Sequence, residues 1–436
     1  MDPAKSSEPV YPEGVVPPPA APALAPTLPG RLLAPHTGML RALRHRNYRL
    51  FWTGNFLSNI GTWMHHVALG WLVLEMTNSP FLLGLVGFAQ FIPALIFSLP
   101  GGLIADRVNR RRWLLRTHSA MLLLALTLAL LVTLEIITYG AILAIAFLLG
   151  SATALNAPAY QAMVRDLSSH EDVLNAIALN SMQFNTSRFI GPTIAGILVS
   201  TVGLAICFYV NSASFLAPLI ALCLVRYPGS PAPSTASIRE GLGEGFGYLW
   251  GHRRILLLVS LVAMVSLFGL PYLIFLPVFA RDVLHVGARG LGYMMSASGG
   301  GALLGAILLA MWHPERRRGP LVLGGLLLFF GGVLWLALSR NFYLSLLALF
   351  VLGGAMVAVV ATVNSLIQTL VPDSVRGRVL SWHTMAYFGF SPLGSLLVGT
   401  LADTWGTPAA LALSAAGPLV VTAVLFLAVP WVRHLH

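Results

Sequence analysis

Residues 81–103 hold no charged side chain and 113–134 only Arg116, yet between them runs Gly102-Leu-Ile-Ala-Asp106-Arg107-Val-Asn109-Arg110-Arg111-Arg112. A chain crosses the hydrocarbon core as a helix of about 20 apolar residues, because a helix satisfies its own backbone there. The charged stretch must therefore turn the chain around at a membrane surface. With 57% hydrophobic and 9% charged residues, against about 25% charged in soluble domains, the chain reads as an all-α integral membrane protein. Spans are expected at about 49–75, 80–104, 113–135, 140–164, 173–200, 204–226, 254–280, 290–312, 320–339, 342–370, 376–402 and 408–432, so about twelve transmembrane helices fill the chain.

The formal charge of +11 invites a nucleic-acid reading until the arginines are located. Arg41, Arg44 and Arg46 precede the first span, and Arg107 with Arg110 to Arg112 follows the second. Arg165, Arg226 through Arg254, Arg316 to Arg318, Arg376, Arg378 and Arg433 then fall at every second loop or at the end, and the alternate loops hold only Arg281, Arg289 and Arg340. The positive-inside rule places both termini in the cytoplasm, and topology alone accounts for the charge, so no nucleic-acid partner is expected. Cys207 and Cys223 lie on one span, too far apart for a disulfide. Metal ligands in a cluster, a nucleophile motif and a phosphate-binding loop are all missing from the pattern, so neither an enzyme nor a metal site is expected.

Residues 1–46 are a Pro/Ala-rich cytoplasmic tail whose composition cannot bury a core, and disorder is expected there. A six-helix bundle is expected over 47–226, a cytoplasmic linker over 227–252, and a second six-helix bundle over 253–436. The linker opens with Pro228-Gly-Ser-Pro-Ala-Pro-Ser-Thr235. After it Ile238, Leu242, Phe246 and Leu249 recur on one helical face, the pattern of a short amphipathic surface helix. Pro192 and Pro392 sit at matching places about 200 residues apart, as parallel repeats of a two-bundle transporter require.

Ionisable and amide side chains at bilayer depth are costly unless they face protein or water. Asn55, Asn59, Thr62 and His66 make one polar stripe at the helical period on the first span. Arg188, with Asn180, Asn185 and Ser187, marks a second polar face on the fifth. Arg188 is either a counter-charge for an anionic or polar substrate or a structural link to neighbouring helices.

The loop from Gly102 to Arg112 resembles the signature of the major facilitator superfamily, Gly-x-x-x-Asp-Arg-x-Gly-Arg-Arg between the second and third helices. Asn109 stands where glycine is usual, and asparagine tolerates the left-handed conformation expected of that turn. Gly191-Pro192-x-x-Ala195-Gly196 resembles the antiporter motif of facilitator exporters, and helix packing by small residues is its plainer reading. With Asn55-Phe-Leu-Ser-Asn59-Ile-Gly61-Thr-Trp63-Met and Ala154-Leu-Asn156-Ala-Pro158, these stretches resemble the enterobactin-exporter-like branch of drug:proton antiporters.

The resemblance implies the major facilitator fold, two pseudo-symmetric six-helix bundles, in a bacterial inner membrane. It implies that the first, fourth, seventh and tenth helices line a central cavity, which Asn156, Tyr160, Asn364 and Gln368 would join, with His383 and Tyr387 at its rim. It also implies a gate: Gly102, Asp106 and Arg107 latch the second helix to the eleventh, and Arg110 pairs with Asp166. The expected activity is proton-coupled export of siderophore-like or amphipathic drug-like small molecules by a monomer, with no cofactor beyond the proton gradient. A non-transporting receptor or scaffold of the same fold, and an importer or uniporter, are the alternatives.

Overall fold

The computed structural model describes residues 40–227, 238–311 and 318–428; the side chains of 98–100, 102, 103, 105, 106 and 238–242 lie outside that description. The expectations for the tail before residue 40, for the linker 228–235, for Gly102 and Asp106 at the gate, and for Arg316, Arg317, Arg433, Ile238 and Leu242 therefore fall outside the described residues.

Among the described residues twelve long helices follow one another: α1 (Arg46–Thr77), α2 (Pro80–Arg107), α3 (Arg110–Thr133), α4 (Tyr139–Asp166), α5 (Val173–Thr201) and α6 (Ala205–Leu224), then α7 (Arg253–Val283), α8 (Gly287–Met311), α9 (Arg318–Leu338), α10 (Phe342–Leu370), α11 (Asp373–Trp405) and α12 (Thr407–Ala428). Ten of them, all but α1 and α5, are long and apolar enough to cross a membrane. Those two are also long, with 32 and 29 residues, but they carry the polar stripe and Arg188. Polar side chains on a long helix lower its mean hydropathy below that of its neighbours.

The charged turn is shorter than its sequence suggests. Only Val108 and Asn109 separate α2 from α3, and Asn109 is extended (φ −64°, ψ 109°) with its side chain accepting from Arg112 N at 3.1 Å. The expected left-handed asparagine is corrected: Asn109 is the N-cap of α3, satisfying an amide that the first helical turn leaves free. Arg110 to Arg112 thus open α3 instead of lying in the loop. Arg111 uses that position to donate to Leu222 O (2.7 Å) and Cys223 O (2.9 Å), closing the C-terminal end of α6.

This turn defines the basic end of the molecule; the α1–α2 loop lies at the far end. Within the first half α2 packs along α4, α1 along α5 and α6, and α3 along α4 and α6; within the second, α8 packs along α10, and α9 along α10 and α12. Two seams join the halves, α5 against α8 and α2 against α11. The connecting helix Ile238–Gly251 lies on the start of α11, with Phe246 against Trp382 (ring centroids 5.3 Å) and Glu244 paired with Arg378.

Prolines and glycines meet across these packings in a repeated way. A proline has no N–H for the carbonyl four residues before it, and a glycine of a neighbouring helix lies against that oxygen in three places. A Cβ on Gly299 would stand 2.5 Å from Arg188 O, four before Pro192. One on Gly101 would stand 3.3 Å from Ala154 O, four before Pro158, and one on Gly394 would collide with Leu267 O, four before Pro271. Close approach of a Cα–H to each oxygen offsets part of the lost helical bond.

Candidate functional site

The polar residues of α1 are held against α5 by a ladder of side chains reaching helix carbonyls. Tyr48 OH donates to Ala176 O (2.8 Å), Trp52 Nε1 to Leu179 O (3.1 Å), and Ser187 Oγ of α5 returns to Phe56 O (3.4 Å). Along the stripe Asn55 donates to Phe51 O (2.7 Å) and Thr62 to Ser58 O (3.0 Å), while His66 Nδ1 lies 3.2 Å from Gln90 Nε2 of α2. Asn55 is buried; Asn59, Thr62 and His66 are half-buried. Tyr160 of α4 donates to Asn180 of α5 and packs on Phe51 (5.2 Å). On α10, Gln368 donates to Asn364 one turn away, and Gln368 is exposed.

Asn156 departs from the expected cavity. It is buried, and its amide donates to Thr117 Oγ1 (3.1 Å) and approaches His118 Nδ1 (3.2 Å), both on α3. The expectation is corrected: the Thr117 hydroxyl on the neighbouring helix accepts from the amide within the first half, away from the second, while His118 Nδ1 donates to Leu114 O (2.8 Å).

Arg188 is the centre of the site. It is 4% exposed, and its Nη2 donates to Ser298 Oγ of α8 (2.8 Å) and Tyr272 OH of α7 (3.3 Å), whose oxygens are themselves 2.7 Å apart. Its Cζ stands 5.6 Å from the Trp63 ring centroid, a cation–π position. Tyr387 of α11 accepts from Ser266 Oγ of α7 through its backbone carbonyl (2.5 Å). Four helices from both halves, α1, α5, α7 and α8, thus meet at one guanidinium. Arg188 stands out in the sequence whereas Tyr272 and Ser298 do not; the signal available for the latter is Ser296-x-Ser298 leading into Gly299-Gly300-Gly301, hydroxyls on a face of minimal bulk. His383, one turn before Tyr387, is buried with Nε2 lacking a hydrogen bond.

From Arg188 to the far end the halves touch backbone to backbone. Thr193 Oγ1 donates to Ser296 Oγ (2.8 Å), and a Cβ on Gly292 would stand 2.5 Å from Pro192 O and 3.0 Å from Gly196 Cα. Gly191 faces the other way, onto Ile60 and Trp63 of α1. Arg281, at the end of α7, donates to Leu74 O (2.9 Å) and to Asn78, capping the end of α1 from the other half. Ser79 Oγ lies 3.2 Å from Asp403 Oδ1.

At the basic end Arg110 Nη1 meets Asp166 Oδ2 at 2.6 Å, and Tyr227 OH donates to the same oxygen at 2.6 Å. Burial, with Asp166 beside it, pushes the Tyr227 phenol up to about 12. A recess of about 480 Å³ beside this pair, lined by Arg165, Asp166, Ser168, His170, Val173 and Ile177, lies on the first half alone. Arg107 ends α2 and is exposed.

Comparison with known proteins agrees with this architecture. The chain is 27% identical over 383 residues to the staphyloferrin A transporter of Staphylococcus aureus, covering 87% of this chain and 95% of that protein. It is 26% identical over 381 residues to the multidrug efflux pump Tap of Mycolicibacterium fortuitum, covering 85% and 92%. The nucleoside transporter NupG superposes with a TM-score of 0.68 at 14% identity, covering 87% of this chain and 98% of that one, which shows the major facilitator fold. Residues 37–434 match the sequence pattern of a single family. The protein is a multi-pass membrane transporter of small molecules, not an enzyme, and it belongs to the transmembrane secretion effector family of the major facilitator superfamily.

Proposed function

We propose that this protein exports siderophore-like or amphipathic drug-like molecules across a bacterial inner membrane, as a monomer, in exchange for protons. The basic end and both termini face the cytoplasm in this reading, because arginines concentrate there. The observation that carries it is the placement of the contacts between halves. Among the described residues, hydrogen bonds between halves begin at Arg188 and continue to Arg281 and Asp403 at the far end. Nearer the basic end Phe184, one turn before Arg188, is 49% exposed and Leu174 is 82% exposed. A transporter closed outside and open inside has this distribution, with Asn59, Thr62, His66, Asn364 and Gln368 wetted from the cytoplasm. The transporter relatives carry siderophore and drug names, which supports the substrate class.

Closure of the inner gate is assigned to Asp106 at the last turn of α2, with Gly102 and Arg107 shaping that turn and Arg110–Asp166 bracing α3 against α4. Gly191, Pro192 and Gly196 keep α5 close to α1 and α8. Asp106→Asn is expected to cut efflux at least about tenfold while the protein still inserts, a loss of about 1.4 kcal/mol or more in the gate.

The test is uptake into inverted membrane vesicles of a panel of siderophores and lipophilic dyes, with and without an uncoupler. Uncoupler-sensitive accumulation is expected. Accumulation indifferent to the uncoupler would remove proton coupling, and no accumulation of any compound would remove export.

A further inference from the structure

A buried guanidinium keeps its charge, because arginine does not deprotonate in proteins, and an unpaired charge in a low-dielectric site is costly. Arg188 is 4% exposed and makes no ion pair among the described residues. Two hydroxyls and an aromatic face hold it, and its Nε has no hydrogen-bond partner. Hydroxyls on Nη2 leave the side-on edge of the fork, Nε with Nη2, half used. That edge is the geometry that receives a carboxylate in two parallel bonds.

The surroundings narrow the ligand further. Trp63 lies over the guanidinium, Phe184 packs edge-on against Trp63 at 5.8 Å between centroids, and Phe184 itself is 49% exposed. An aromatic wall therefore leads from the open side to within one helical turn of the charge. Tyr272 holds its bond to Arg188 at 3.3 Å, longer than its 2.7 Å contact with Ser298, so it is the contact an incoming oxygen displaces at least cost.

We infer that Arg188 is the binding group for the carboxylate of an aromatic or amphipathic substrate, held side-on by Nε and Nη2, with Ser298 keeping its bond and Tyr272 released. The inference rests on the transporter reading and names the substrate class of that cavity. Because Tyr272 belongs to α7 and Arg188 to α5, binding removes a bond between the halves at the point where their contacts begin.

The experiment uses the full-length protein in lipid nanodiscs, with 1-naphthoate and its neutral methyl ester as probes, bound amounts being read by equilibrium dialysis at pH 7.5. Binding of naphthoate well above the ester is expected for the wild type. Arg188→Gln should weaken naphthoate about 30-fold or more and leave the ester unchanged. Arg188→Lys, which keeps the charge and loses the fork, should weaken it about tenfold. Tyr272→Phe should bind naphthoate as well as the wild type or better. Equal binding of acid and ester by the wild type, or wild-type naphthoate binding by Arg188→Gln or Arg188→Lys, overturns the carboxylate site, and weaker binding by Tyr272→Phe overturns the displacement. Uncoupler-sensitive transport of a neutral dye by the wild type reads the exporter assignment separately.

Discussion

The two seams between the halves are built alike in backbone and differently in charge. In both, glycine lets helices touch: a Cβ on Gly292 of α8 would stand 2.5 Å from Pro192 O of α5, and one on Gly84 of α2 would stand 2.6 Å from Ser395 O of α11. The α5–α8 seam adds Thr193–Ser296 and Arg188–Ser298, both at 2.8 Å and within the protein. The α2–α11 seam adds Ser79–Asp403 at its exposed far tip, and deeper in it is apolar, with Leu95 against Gly389. Backbone contact fixes how closely the halves can approach. Buried polar bonds decide how much it costs to part them, because each broken partner is left without water. The α5–α8 seam is thus the one whose parting breaks buried polar bonds.

The largest effect should come from the device the seams share. Gly292→Leu and Gly84→Leu each force a side chain into backbone, and overpacking of this kind costs about 1–3 kcal/mol. Both should disfavour far-end closure. Spin labels at Ile136 and Tyr343, exposed by 60% and 78% at the far end of opposite halves, should move apart in either variant, with transport lost. A longer distance at only one seam would show that the seams are not equivalent in backbone after all.

How far the sequence foretold these seams depends on whether a feature is local. Helix number is a property of single spans, and the structure has helices at those places; the Arg110–Asp166 pair, 56 residues apart and met at 2.6 Å, is implied only by family resemblance. Arg188 was conspicuous because a lone cation in an apolar run is costly. Its partners were not, since Tyr272 and Ser298 are ordinary residues until folding brings α7 and α8 to α5. Asn156 is the complementary case: an intramembrane amide demands a partner but does not say on which side, and α3 supplies Thr117. Asn109 suits a turn by its backbone tolerance, yet in the structure its side chain serves as the cap of α3.

A smaller effect should separate the seams by charge. Thr193→Val keeps the shape of the α5–α8 contact and leaves Ser296 without its partner, a loss of about 1 kcal/mol or about fivefold in the closed population. Asp403→Ala removes the exposed contact of the other seam and should change that population less than about twofold. The spin-label distance distribution reads both, and equal shifts would mean that polarity does not distinguish the seams.

The smallest effect on the seams is expected from an ion-pair cluster inside the first half. Asp172, at the N-cap of α5, meets Arg41 Nε (2.7 Å), His45 Nε2 (2.8 Å) and Ser169 Oγ (2.9 Å), tying the entry of α1 to α5. The hydrogen bond from His45 comes first in holding its carboxyl below the ordinary value of 3.8, with Ser169 and Arg41 adding to it against the cost of burial. A depressed carboxylate contributes stability that is fully present above its unfolded value and is lost as pH falls through its lower folded value. The wild type should therefore keep its advantage in thermal midpoint over Asp172→Asn unchanged from pH 7 to 5, and surrender it only below about pH 4. Because the cluster never crosses to the second half, the Ile136–Tyr343 distance should be the same in Asp172→Asn as in the wild type at pH 7. A changed distance would mean that the entry of α1 is coupled to the α5–α8 seam through α5 itself.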